Sequence, residues 1–244
     1  MHNMNGLETA LRDVEVVATD VDDTLTIDGE LTSGVVRAIE HINRTGKRII
    51  LVTGRSGGAC TTLSQYLPVE MVIAENGGVI IRAHDISTIA LPADHRARLD
   101  GCIGEITGMF PGIRPAQDNP FRLTDLSMDN RSIPGHARGK IEAIARAYGL
   151  SITVSSVQTH LLCPGCNKAD TLKAMVGNRK TVTIGDSVND ESLFNPALFP
   201  LSVGVANIGP YLPALKYRPR WITSKEQGHG FIEFAELFHE SSLS

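Results

Sequence analysis

An α/β fold, a mostly parallel sheet with an α+β unit inserted into it, is what the 244-residue sequence predicts. Three observations carry that reading. Short apolar runs alternate with stretches of helical periodicity, the pattern of parallel strands joined by crossover helices. The alternation breaks off near residue 83 and resumes near residue 164. Polar and acidic residues gather directly after several of the apolar runs, at the strand ends where open parallel sheets bind ligands.

Taken in order, "VEVVAT" (14–19) reads as the first strand. "SGVVRAIEHINRTG" follows as a helix, with Val35, Ile39 and Ile42 on one face and Gly46 as its stop. "RIILVT" (48–53) is a second strand and "GACTTLSQYL" a helix ended by Pro68. "MVIAENGGVII" (71–81) reads as a strand, a tight turn over Gly77 and Gly78, and another short strand. Residues 1–82 and 164–244 are thus expected to form the core, and 83–163 the insert. Within the insert, "DHRARLDGCIGEITGMF" repeats Leu99, Ile103 and Ile106 at helical spacing, and "GKIEAIARAYG" is a second helix. "FRLTDLSMD" alternates like a half-buried strand, and "SITVSSV" and "THLLC" are two more. After the insert, "KADTLKAMVG" is a helix and "TVTIG" (181–185) a strand running into "DSVND". "LSVGV", "RWIT" and a closing helix "GFIEFAELFH" complete the pattern.

Composition narrows the function. A formal net charge of -4 with no basic run argues against a nucleic-acid surface. No apolar stretch is long enough to span a bilayer, and "MHNMNGLETALRD" lacks the basic head and apolar region of a signal peptide. Four cysteines in so long a chain make no disulfide scaffold, so a reduced, cytoplasmic protein is expected. Cys163 and Cys166, with His160 close by in sequence, have the spacing of a zinc pair. No second pair or clustered histidines complete a tetrahedron, and a turn on Pro164-Gly165 is the plainer reading.

The chemistry-bearing residues raise one physical question. "VVATDVDDTLT" (16–26) is an apolar run ending in Asp20, Asp22 and Asp23. A carboxylate at a buried strand end costs several kcal/mol unless compensated, and close like charges raise each other's pKa. Either a bivalent cation meets these acids or a turn points them apart. Thr53-Gly54-Arg55 follows the second strand, Lys168 opens a helix, and Asp186 and Asp190 stand in "GDSVND". Singly, these have plain readings: a turn, a solvated lysine, a helix N-cap. Together they suggest a phosphate and its metal.

The order "DVDDTL", "LVTGR", "NKADTL", "GDSVND" resembles the four signature motifs of the haloacid dehalogenase-like hydrolase superfamily. The position of the insert resembles the cap of its Cof-type (second cap class) phosphatases. The compact length and the "ENGG" turn are similar to phosphoglycolate, sucrose-phosphate and mannosyl-3-phosphoglycerate phosphatases. The resemblance implies a Rossmann-like parallel-sheet core domain carrying an α+β cap domain. It implies a magnesium-dependent hydrolase of a small phosphorylated metabolite, of sugar-phosphate, phosphoglycolate or phosphoglycerate type. By position, Asp20 would be the nucleophile that becomes an aspartyl phosphate, and Asp22 the general acid and then base. Thr53, the Gly54 amide and Lys168 would hold the phosphoryl group. Asp20, the Asp22 carbonyl, Asp186 and Asp190 would surround Mg2+, Asp190 as ligand or support, with Asn189 orienting Lys168. Asp23 and Ala169 depart from the pattern, each standing where many relatives carry glycine.

Three rival readings follow from the same residues. A sugar-phosphate mutase shares this kind of cap. A receiver domain also sets aspartates, a Thr and a Lys around magnesium, but in a different order and without an insert. A dehalogenase fits the metal acids and Asp22 less well. Within the insert, Arg122, Thr124 and Asp125 are expected either to read the hydroxyls or carboxylate of a substrate, or, for Arg122, to pair with Asp125 on the cap surface.

Overall fold

The protein is described here by a computed structural model covering residues 4, 6–83, 85–155 and 157–239. Ser156, inside the predicted run 151–157, and residues 1–3 and 5 of the amino-terminal stretch lie outside the described residues. The first third of the chain holds α1 (Leu7–Leu11), β1 (Val16–Thr19), α2 (Ser33–Arg44), β2 (Arg48–Val52), α3 (Gly57–Tyr66), β3 (Met71–Ala74), β4 (Val79–Arg82) and β5 (Asp85–Thr88). Next come α4 (His95–Met109), β6 (Leu126–Asp129), α5 (Arg138–Ala147), β7 (Ser151–Val154) and β8 (Gln158–Leu162). The last third holds α6 (Lys168–Val176), β9 (Thr181–Gly185), β10 (Leu201–Gly204), β11 (Trp221–Ile222) and α7 (Gln227–Ala235).

Eight strands form one sheet in the order β11-β10-β9-β1-β2-β3-β4-β5, parallel from β11 to β3 and antiparallel beyond. Parallel strands covered on both faces are apolar throughout rather than alternating, and β1 and β2 follow this rule. Val17, Ile49 and Leu51 pack on one face with Val35, Ile39 and Phe234 of α2 and α7. Val16, Ala18, Ile50 and Val52 pack on the other with Ala169, Leu172 and Val176 of α6. The expected α/β core is therefore present. Its sheet runs past residue 82, because β5 pairs with β4 and not with any strand of the insert.

A three-stranded antiparallel sheet, β6-β8-β7, carries α4 and α5 on one face. Leu126, Met128 and Leu161 point into that apolar layer. Alternation sends Ser127 and His160, which pair across β6 and β8, to the opposite face.

"FRLTDLSMD" is strand only from Leu126 onward. Residues 122–125 instead run as a strap along the core, because their polar groups bond to a single buried carboxylate. Glu75 accepts the Leu123 amide at 3.0 Å, the Thr124 amide at 2.6 Å, the Thr124 hydroxyl at 2.7 Å and the Asp125 amide at 3.3 Å. Its other oxygen accepts the Gly57 amide at the start of α3 at 2.8 Å. Glu75, Asn76 and Gly77 all have positive φ, at 50°, 56° and 106°, so the chain spends backbone strain to aim this carboxylate. The next residue, Gly78, has no room for a side chain: a β-carbon there would lie 2.0 Å from the Thr124 hydroxyl oxygen.

Glu75→Ala leaves the strap amides without an acceptor in a dry interface. Hydrogen bonds to a charged group are worth about 1.5–3 kcal/mol each and are not additive, so a loss of roughly 3 kcal/mol in urea unfolding is expected. A loss below about 0.5 kcal/mol would show that the strap is held elsewhere.

Candidate active site

β1, β9 and α6 bring the acids together. Asp20 leaves β1 with its amide bonded to the Ile184 carbonyl of β9 at 3.0 Å. Lys168 is the first residue of α6, whose N-cap Asn167 accepts the Asp170 amide at 2.9 Å. The buried Lys168 ammonium donates to Asp20 Oδ1 at 2.6 Å and to Asp190 Oδ1 at 2.7 Å. Asp190 uses its second oxygen to accept the Asp186 amide at 3.0 Å and the Ser187 amide at 3.3 Å. Gly185 makes that fold-back possible, since a β-carbon at this position would sit 2.7 Å from Asp190 Oδ2. Asp186 accepts the Thr24 hydroxyl at 3.3 Å and the Asn207 amide at 3.2 Å.

The three aspartates of the opening motif point apart. Asp20 turns to Lys168, whereas Asp22 is gripped by the Arg55 guanidinium, with Nε 3.0 Å from each carboxylate oxygen. Asp23 takes a left-handed turn conformation, φ 56°, and its carboxylate lies 3.4 Å from the Gln227 amide nitrogen. The turn does not dissolve the charge problem, however. Carboxylate oxygens of Asp20, Asp186 and Asp190 lie within 4.8 Å of one another, all buried, with Lys168 as their one close ammonium. Burial, with Asp190 and Asp22 adding to it against Lys168, pushes the Asp20 carboxyl up to about 8. Burial, then Asp190 and Asp20, pushes Asp186 up to about 9. Against burial, Asp190 and Asp20 hold Lys168 above the ordinary lysine range. Excess buried negative charge built from hard oxygen donors fits a small divalent cation, and Asp20 and Asp186 are the residues best placed to hold one.

The remaining predicted residues fall as follows. Thr53 is buried after β2, and its hydroxyl accepts the Arg55 amide at 3.2 Å. Gly54 stands between core and insert: a β-carbon there would lie 3.0 Å from Asn76 Oδ1 and 3.3 Å from His160 Nε2. Asn189 does not touch Lys168. Its amide nitrogen donates to Asn76 at 3.1 Å and its oxygen accepts the Thr153 hydroxyl of β7 at 3.0 Å, because the turn after Ser187 faces the insert. Asp190 grips the lysine in its place. Arg122 does pair with Asp125, at 2.7 Å, but in the interior rather than on the surface. It also donates to Asp118 and Gln158 and, at 3.1 Å, to the Gly54 carbonyl. Ala169 packs its methyl under the sheet. Cys163 and Cys166 close a turn at 3.1 Å over a left-handed Gly165, while His160 bonds Asp125 instead.

A cleft of about 890 Å³ opens over these residues, with Asp20, Asp22 and Asp186 on its floor and Gln158 and His160 of the insert above. That volume suits a small molecule. The chain matches the family model described as haloacid dehalogenase-like hydrolase over residues 17–95. It is 27% identical over 241 residues to a phosphoglycolate phosphatase of Methanothrix thermoacetophila, covering 94% of this chain and 99% of that one. Residues 17–95 thus carry the pattern of the haloacid dehalogenase-like hydrolases. Its fold is shared by Thermoplasma acidophilum protein 0175, with a TM-score of 0.76 at 22% identity over 92% of this chain and 99% of that one. A Synechocystis sucrose-phosphatase solved with sucrose and phosphate superposes with a TM-score of 0.67 at 16% identity, over 93% and 98% of the two chains.

Glu75 and Asn76 shape the site without having stood out in the sequence, while Arg55 stood out only as part of Thr53-Gly54-Arg55 and His160 only beside the cysteine pair. The signal for Glu75 was an acid wedged between the apolar "MVIA" and a glycine pair. For His160 it was a lone imidazole in "THLLC", two residues after Gln158 and so on the same face of the strand.

The raised Asp20 and Asp186 carboxyls set a pH dependence. Between their unfolded values near 3.8 and their folded values of about 8 and 9, the metal-free native state holds protons that the unfolded chain has lost. Stability must then fall as pH rises through that window, and a bound cation removes the loss. The melting temperature of chelator-treated protein should drop between about pH 5.5 and about pH 8.5, and the gap to protein with magnesium chloride should widen. A gap independent of pH would contradict the cation site.

Proposed function

We propose that this chain is a magnesium-dependent phosphomonoester hydrolase working through an aspartyl phosphate on Asp20. The observation that carries the reading is the division of labour on Asp20. Its Oδ1 is taken by Lys168, while Oδ2 has no partner among the described residues and belongs to a side chain bordering the cleft. Oδ2 would attack phosphorus as the bond to the leaving oxygen breaks, and Asp22, two residues on and partly exposed in the cleft, would give that oxygen its proton. Asp22 would then take a proton from the water that attacks phosphorus, releasing inorganic phosphate and restoring the Asp20 carboxylate. Thr53, whose oxygen already accepts from Arg55, keeps its hydroxyl proton for a phosphoryl oxygen, and the Gly54 amide would supply a second donor. Lys168 would offset charge on both nucleophile and phosphate. Mg2+, held by Asp20, the Asp22 carbonyl and Asp186, with Asp190 as support, would supply charge stabilisation for the phosphoryl oxygens.

The substrate class follows from the relatives named phosphoglycolate phosphatase and from a cleft sized for a metabolite: a small phosphorylated acid or sugar. We place Arg122 as a bolt between insert and core, since its side chain is fully buried and both terminal nitrogens of its guanidinium bond protein acceptors. Residues 83–163 would act as the cap over the substrate.

Phosphate release from a panel of phosphorylated metabolites tests the reading. Asp20→Asn should abolish turnover, and retention of about a tenth of wild-type activity would remove it from the covalent role. Asp22→Asn should slow turnover by about a hundredfold or more. Chelation should abolish activity, and magnesium, but not calcium with its larger and looser shell, should restore it. Full activity in excess chelator would end the metal assignment.

A further inference from the structure

His160 has no part in the reading above, yet its ring stands at the junction of cap and core. It lies on β8, the central strand of the cap sheet, on the face turned away from the cap's apolar layer. Its Nδ1 is 3.0 Å from Asp125 Oδ2, and Asp125 is itself held by Arg122 at 2.7 Å and by the Asn76 amide at 3.4 Å. An ionised carboxylate only accepts, so Nδ1 carries a proton and the ring is locked in orientation. The Asp125 carboxyl sits below the ordinary range: burial opposes this, but the His160 and Arg122 contacts outweigh it.

Locking Nδ1 leaves Nε2 aimed outward. Nε2 has no partner among the described residues, the side chain is 1% exposed, and the residue borders the cleft. It faces Gly54 of the core, where even a methyl group would come within 3.3 Å of it. An oriented imidazole nitrogen at the edge of the cleft, without a protein partner among the described residues and placed against the backbone that would seat a phosphoryl group, is built to meet a substrate atom.

We infer that His160 binds the phosphoryl group of the substrate from the cap side, donating from Nε2 to a phosphoryl oxygen seated on Gly54. This rests on the phosphomonoesterase reading. Donation from Nε2 to a phosphate dianion is charge-assisted, with Asp125 as the fixed counter-charge behind Nδ1. Because Nε2 belongs to the cap and Gly54 to the core, the contact forms only when the cap is seated. Binding of the phosphoryl group and seating of the cap are then one event.

The probe is inorganic phosphate as a competitive inhibitor, with magnesium present and p-nitrophenyl phosphate as the reporter substrate. His160→Asn keeps a donor in the place of Nδ1 for Asp125 but cannot reach the cleft. It should raise the phosphate inhibition constant and the KM by about tenfold or more, at a melting temperature close to wild type. A folded His160→Asn protein whose inhibition constant stays within about twofold of wild type would overturn the inference. His160→Gln carries an amide out to the position of Nε2, and should recover most of the phosphate affinity. Equal loss in both variants would mean that the ring acts through Asp125 and packing alone. In the wild-type protein, nitrogen NMR should show the Nε2 signal of His160 moving when phosphate is added with magnesium, and an unmoved signal would overturn the inference without any variant. Wild-type protein that releases no phosphate from any monoester would instead overturn the underlying reading.

Discussion

A single buried ammonium holds the catalytic end of this molecule together. Lys168 lies between Asp20 at the end of β1 and Asp190 in the turn after β9, so three elements distant in sequence meet on one charge. Removing either acid would strand the ammonium in a dry site, which costs more than the pair itself contributes. Much local detail follows from that demand. Gly185 lets Asp190 fold back, Asn167 caps the helix that Lys168 opens, and Gly77 leaves space for the Asn167 carbonyl, which a β-carbon would meet at 2.4 Å. One ammonium is still too little for three buried carboxylates, and this imbalance is what makes the cluster a candidate for a cation.

The second organising contact is Glu75. It ties the strap 122–125 to the start of α3, and Arg122 and Asn76 add bonds from the strap to Gly54 and from the core to Asp125. The insert is therefore attached by its two chain crossings, by this third point and by the hydrogen bond from Thr153 to Asn189. Motions that leave the strap in place cost little, while a swing that lifts it must strip a buried carboxylate of its donors.

The parallel core was legible because fully buried strands leave uninterrupted apolar runs, and the acids stood out against them. Asp20, Lys168, Asp186 and Asp190 stood out in short motifs at the strand ends, and the structure brings all four together. Pairings across the cap interface were not legible. Nothing in "FRLTDLSMD" distinguishes a strand from a strap, because the deciding partner, Glu75, lies 50 residues upstream of Asp125. Asn189 was assigned to Lys168 through the family resemblance, but its side chain belongs to the bridge between Asn76 and Thr153. The β5 hairpin was given to the insert because a short exposed strand has no apolar pattern to mark it as part of the core.

The contact between Gly78 and Thr124 carries a consequence for how such a chain can diverge. With no space for a β-carbon at 78 while Thr124 is in place, the two positions cannot drift independently, and the same holds for Gly58 against Phe121, where a β-carbon would come within 2.7 Å. Gln158 and Ser155 border the open cleft instead. Mutation can therefore sample new leaving groups on the cleft-facing rim while the docking seam stays locked. A lineage with this architecture can change what it recognises without having to rediscover how its two halves fit.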